Sequence, residues 1–76
     1  MITVKLYGLL RIESGIKDKQ LDCKSVKEVL HALADLGIPE KELGGCVILI
    51  NGNSANKRSK LSDGDTVVLM SPVAGG

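Results

Sequence analysis

Aromatic side chains are almost missing from this sequence: Tyr7 stands alone, with no Phe and no Trp in 76 residues. A surface that stacks single-stranded bases needs several such rings, so that mode of nucleic-acid binding is excluded. An excess of positive charge is missing too. Ten Lys and Arg stand against nine Asp and Glu, a formal net charge of +1, whereas nucleic acid is held by displacing counterions from a basic surface. His31 is the only histidine, which leaves a Ser-His-Asp hydrolase or a histidine-rich metal centre short of parts. Cys23 and Cys46 are the only thiols and lie far apart. A disulfide scaffold is denser, and structural zinc takes four ligands in paired short spacings. They are expected as free, buried thiols. No apolar run approaches the ~20 residues of a membrane helix, and the opening MITVKLYGLL lacks the apolar region and cleavage site of a secretory signal. The expectation is a cytoplasmic domain that binds neither nucleic acid, membrane nor metal.

What is present is a small aliphatic core. Hydrophobic residues make up 43% and charged residues 25%, the composition of a single globular domain. Ile2, Val4 and Leu6 alternate with Thr3, Lys5 and Tyr7, the period of a half-buried strand. A weaker alternation from Ile16 to Leu21 suggests a second strand, joined to the first as a loose hairpin. Ser25 with Glu28 three residues on reads as a capping box, and Val26, Val29, Leu30, Leu33 and Leu36 follow as one helical stripe. Gly37, Ile38 and Pro39 supply a left-handed C′ residue, an apolar fold-back and a stop. Cys46 to Ile50 is an unbroken apolar run, expected as a central strand, and Asn51-Gly52 is a hairpin turn signal. Asn53 to Lys60 is polar and predicts at most a short edge strand, guarded by Lys57, Arg58 and Lys60. Asp63-Gly64-Asp65 is a turn, not a calcium loop, and Thr66 to Met70 is the last strand.

The predicted fold is α+β: a sheet with one main helix packed on one face. One helix leaves the other face open, and Tyr7, with Val68 or Met70, lies on it if Ile2, Val4, Leu6 and Leu69 point at the helix. An uncovered apolar face marks a protein interface.

The tail Ser71-Pro72-Val73-Ala74-Gly75-Gly76 has small, uncharged side chains. The expected division is a domain over residues 1–71 and a flexible tail over 72–76. Five extended residues reach roughly 17 Å, far enough to enter another protein's active site. Two glycines pass a channel too narrow for side chains. The Gly76 carboxylate, ionised at neutral pH, is a poor electrophile until activated, most simply as an anhydride with AMP. No Gly-rich phosphate loop is present, so the chain reads as the substrate of that activation and not as the enzyme.

Taken together, Val4 to Arg11, Leu61 to Val67 and Ser71 to Gly76 resemble the ubiquitin-like β-grasp sulfur carriers of the MoaD/ThiS group. Tyr7-Gly8-Leu9-Leu10-Arg11 and the Pro-Val-Ala-Gly-Gly terminus are most similar to the molybdopterin synthase small subunit. The resemblance implies a mixed β-grasp sheet of four to five strands. It also implies a mechanism: a ubiquitin-activating-type enzyme uses ATP to adenylate Gly76, and a desulfurase or sulfurtransferase supplies sulfur for a thiocarboxylate. The tail then enters the large catalytic subunit, where sulfur passes to the molybdopterin precursor of the molybdenum cofactor. On this reading the chain binds no cofactor itself. Gly76 is the covalent site, Gly75 gives clearance, Pro72, Val73 and Ala74 line the tail's path, and Tyr7, Leu9 and Met70 dock the partner. Alternatives are a carrier for thiamine or tungsten cofactor synthesis, a modifier conjugated to lysines, and a β-grasp interaction module with an inert tail.

Overall fold

The computed structural model describes residues 1–71; Pro72, Val73, Ala74, Gly75 and Gly76 lie outside the described residues, and the expected tail falls on them. The elements run β1 (Ile2–Tyr7), α1 (Leu9–Ser14), β2 (Asp18–Leu21), α2 (Val26–Asp35), α3 (Glu40–Gly44), β3 (Val47–Ile50), β4 (Asn53–Ser54) and β5 (Thr66–Met70). They form one five-stranded sheet in the order β2-β1-β5-β3-β4. β1 and β5 are parallel, and the other pairs are antiparallel. The last strand thus lies at the middle of the sheet, between the first strand and β3.

α2 forms for the local reasons the sequence supplies. Ser25 is its N-cap, and its Oγ accepts the Glu28 N–H at 3.2 Å. The return half of the box differs from expectation: Ser25 Oγ donates to the Glu28 carboxylate at 3.3 Å, a contact between the two side chains. At the other end Ile38 N–H donates to Leu33 O and Gly37 N–H to Ala34 O, with Gly37 at φ +100. That is a Schellman motif, closed by the fold-back of buried Ile38. Val26, Val29, Leu30 and Leu33 turn inward, and with Ile2, Val4, Leu6, Val67 and Leu69 they build the core. Leu36 departs from the expected stripe. As the C-cap it is 45% exposed, because the helix ends before a further turn can bring it over the sheet.

Two short helices stand beside α2 in the helical layer. Gly8 to Gly15 is not a loose hairpin connection; it holds α1, which buries Leu10 completely and ends at Gly15 in the left-handed region. Strand pairing on the β2 side therefore starts at Asp18 and not at Ile16. α3 follows Pro39 and buries Leu43. β4 is the short edge strand expected, but Lys57 and Arg58 do not guard it. They lie past its end, with Lys27, Leu30, His31 and Leu43, around a groove of the helical layer.

At the opposite end from Tyr7 and Met70, two turns lock together. Asn51 (φ 50) and Gly52 (φ 84) both take the positive φ of a primed hairpin turn. Asn51 Nδ2 donates to Asp65 Oδ1 at 2.9 Å, and Asn51 Oδ1 accepts the Thr66 N–H at 2.9 Å. Asp65 Oδ2 accepts the Ser62 N–H at 2.8 Å. These donors hold the Asp65 carboxyl below its ordinary range, the Ser62 N–H first and then Asn51. Asp63-Gly64-Asp65 is a turn, as expected.

Candidate functional site

Because side chains alternate across a strand, the burial of β1 and β5 assigns their faces directly. Ile2, Val4 and Leu6, with Val67 and Leu69, are buried beneath α2; Lys5 and Tyr7 are exposed, and Val68 and Met70 are half-buried. The pairing register then sets the open face out in rows. Tyr7, Met70 and Val47 lie side by side across β1, β5 and β3. The next row is Asp18, Lys5, Val68, Leu49 and Ser54, and the one beyond it pairs Gln20, Thr3 and Thr66. The face becomes more apolar toward the end of β5, where the chain continues to Ser71. Tyr7 there is 41% exposed and Val47 46%. Leu9, two residues after Tyr7 at the start of α1, is 46% exposed.

Three expected partner-binding residues, Tyr7, Leu9 and Met70, thus cluster at one end of the sheet, and Ser71 Oγ accepts the Leu9 N–H at 2.7 Å. Gly76, Gly75, Pro72, Val73 and Ala74 lie outside the described residues. Sequence reasoning missed Val47. Its signal was the unbroken Cys46-Ile50 run, since a strand apolar on both faces must put some apolar side chains on the open one.

The remaining chemistry of the body is muted. Cys23 and Cys46 are free thiols, half-buried and not fully buried as expected. Burial pushes the Cys23 thiol up, with Glu28 and Asp22 adding to it. Burial also pushes the Cys46 thiol up, partly offset by a backbone hydrogen bond and by Lys57. Neither is the low-pKa thiolate that nucleophilic work requires. His31 is exposed on α2. Among the described residues, no group of three His, Cys, Asp or Glu side chains is placed to hold a metal ion, and no helix is long and apolar enough to cross a membrane.

The ThiS family profile matches residues 4–76. The chain belongs to the ThiS family. It is a ubiquitin-like sulfur carrier of the ThiS/MoaD type, and its mixed sheet with α2 on one face is the β-grasp fold. A small archaeal modifier protein from Methanosarcina acetivorans is 29% identical at a TM-score of 0.81, over 99% of this chain and 95% of that one. A chain in the complex of subunits 1 and 2 of the molybdopterin-converting factor from Helicobacter pylori is 26% identical at 0.75, over 99% and 97%. A chain of the Amycolatopsis orientalis BexX/CysO complex, 20% identical over the full length of both at 0.78, shares the fold. Among curated proteins, none matches this ThiS-family chain in sequence.

Proposed function

We propose that this ThiS-family carrier delivers sulfur through the Gly76 carboxylate for molybdopterin synthesis. The carboxylate attacks the α-phosphate of ATP on a ubiquitin-activating-type enzyme, which releases pyrophosphate and leaves an acyl adenylate. A hydrosulfide equivalent from a desulfurase or sulfurtransferase then displaces AMP and leaves a thiocarboxylate. The tail carries this sulfur into a large molybdopterin synthase subunit, with Gly75 providing clearance and Pro72, Val73 and Ala74 lining the path. On this reading the chain is the substrate of that activation, and its body is the handle that partners grip.

The observation that carries this reading is the placement of the apolar row. Tyr7, Met70 and Val47 lie at the end of β5, so a partner that covers them sits where the Gly-Gly tail begins. The likeness to a molybdopterin-converting factor chain supports that choice of acceptor. A second reading, conjugation of Gly76 to lysines, is favoured by the 29% identity to a small archaeal modifier protein.

Intact mass spectrometry separates them. Incubation with the activating enzyme of the same organism, ATP and sulfide is expected to yield a species with one oxygen replaced by sulfur. Deletion of Gly75 and Gly76 is expected to abolish it while leaving the melting temperature unchanged. Absence of that species, with Gly-Gly remnants on lysines of other proteins, would establish the modifier reading instead.

A further inference from the structure

Ser71, the last described residue, ties back to the opening segment of the chain. Its Oγ accepts the N–H of Leu9, the first residue of α1, at 2.7 Å. A helix leaves its first N–H groups without intrahelical partners, and an N-cap side chain ordinarily takes one. Here the N-cap is Gly8, which has no side chain to offer. A hydroxyl 62 positions beyond Leu9 takes a different one, the first N–H of the helix, which an N-cap side chain does not reach.

Gly8 is suited to this arrangement twice over. Its φ of +69 lies in the region that favours glycine, and a Cβ there would strike Ser71 Oγ. Its carbonyl accepts from the Arg11 and Ile12 N–H groups at 3.1 and 3.2 Å, which fixes the first turn of α1 against the same point. Strand pairing between β1 and β5 ends at Tyr7 and Met70. The Ser71 bond carries the alignment one residue beyond the sheet.

We propose that Ser71 is a positioning residue for sulfur loading: its bond to Leu9 fixes the root from which the tail is presented, next to the row that docks the partner. The proposal rests on Gly76 being the loaded group. The hydroxyl is exposed, so water replaces it at the Leu9 N–H at little cost to folding. Its loss instead frees the root. The terminal carboxylate then samples a larger volume, and its effective concentration in the partner's active site falls while the docking face is unaltered. The consequence is a fall in kcat with KM unchanged.

The test is carrier-dependent exchange of labelled pyrophosphate into ATP by the activating enzyme of the same organism. Ser71→Ala is expected to lower kcat about fivefold, the effect of releasing one ordered residue, with KM and melting temperature as in the wild type. The Leu9 amide should exchange faster with solvent in this variant, and Ser71→Thr should restore both kcat and protection. Wild-type kcat in Ser71→Ala, a rise in KM in its place, or failure of Ser71→Thr to rescue would overturn the proposal. Deletion of Gly76 serves as the control for the underlying reading. Exchange that survives the deletion overturns the tail itself, whereas exchange lost on deletion but normal in Ser71→Ala overturns only the role of Ser71.

Discussion

β5 contributes to two surfaces with nearly the same chemistry and opposite fates. Val67 and Leu69 are completely buried under α2, while Val68 and Met70, of the same strand, remain half-exposed on the other side of the sheet. Hydrophobicity does not separate them; coverage does. The stripe of Val26, Val29, Leu30 and Leu33 is wide enough for one face only. Burial of the inner face supports folding, at about 25 cal/mol per Å² of apolar surface removed from water. The open row Tyr7–Met70–Val47 leaves apolar surface uncovered, and the proposed function gives that surface to a partner.

That contrast can be broken experimentally, and the largest effect belongs to the covered face. Leu69→Ala, or Leu33→Ala on the facing helix, is expected to cost about 2–5 kcal/mol in urea unfolding, because a fully buried side chain leaves a cavity. A loss no larger than that of a surface substitution would mean that α2 does not seal this face. On the open face the signature reverses. Tyr7→Ala and Val47→Lys should change stability by about 1 kcal/mol or less, yet weaken calorimetrically measured binding to the activating enzyme or large subunit by about tenfold or more. Destabilisation comparable to Leu69→Ala would make the open row part of the core and erase the distinction.

The smallest effect tests the turns, which belong to neither face. The folded Asp65 carboxyl sits below its ordinary value, through the Ser62 N–H and Asn51. Its stabilisation is therefore fully present above the unfolded value near 3.9 and is lost as pH falls through the folded value. Asp65→Asn should melt below the wild type at neutral pH, and the gap should begin to narrow below about pH 4 and vanish once the folded carboxyl is protonated. The deficit of Leu69→Ala should stay nearly constant over the same range, since no ionisable group is lost there. A gap that persists for Asp65→Asn in acid would assign its effect to the altered side chain and not to charge.

Legibility in the sequence followed the span of the interactions. α2 was readable because each of its signals is local: the cap spans Ser25 to Glu28, the stripe repeats every three or four residues, and the Schellman closure spans Leu33 to Ile38. α1 was not. Six residues hold too little periodicity to distinguish a helix from a loop, and its first N–H is satisfied by Ser71 from the far end of the chain. α3 was equally short, and Leu43 reveals its role only once buried. The candidate site was half legible. Alternation placed Tyr7 and Met70 on one face, but Val47 joined them only through the β3–β5 register. Lys57 and Arg58, adjacent to the predicted edge in sequence, ended over the helices because the loop after β4 turns away from the sheet.

The sequence alone determined α2 with both its caps, the Asn51-Gly52 turn, the inward alternation of β1 and the family that Gly75-Gly76 helped to mark. Each depends on backbone angles and hydrogen bonds settled among near neighbours. Tertiary structure decided that β5 lies in the middle of the sheet parallel to β1, that a helix follows Gly8, and which apolar side chains stay uncovered. Those outcomes require contacts across some 60 residues, as between Leu9 and Ser71, and no local preference encodes a partner that distant.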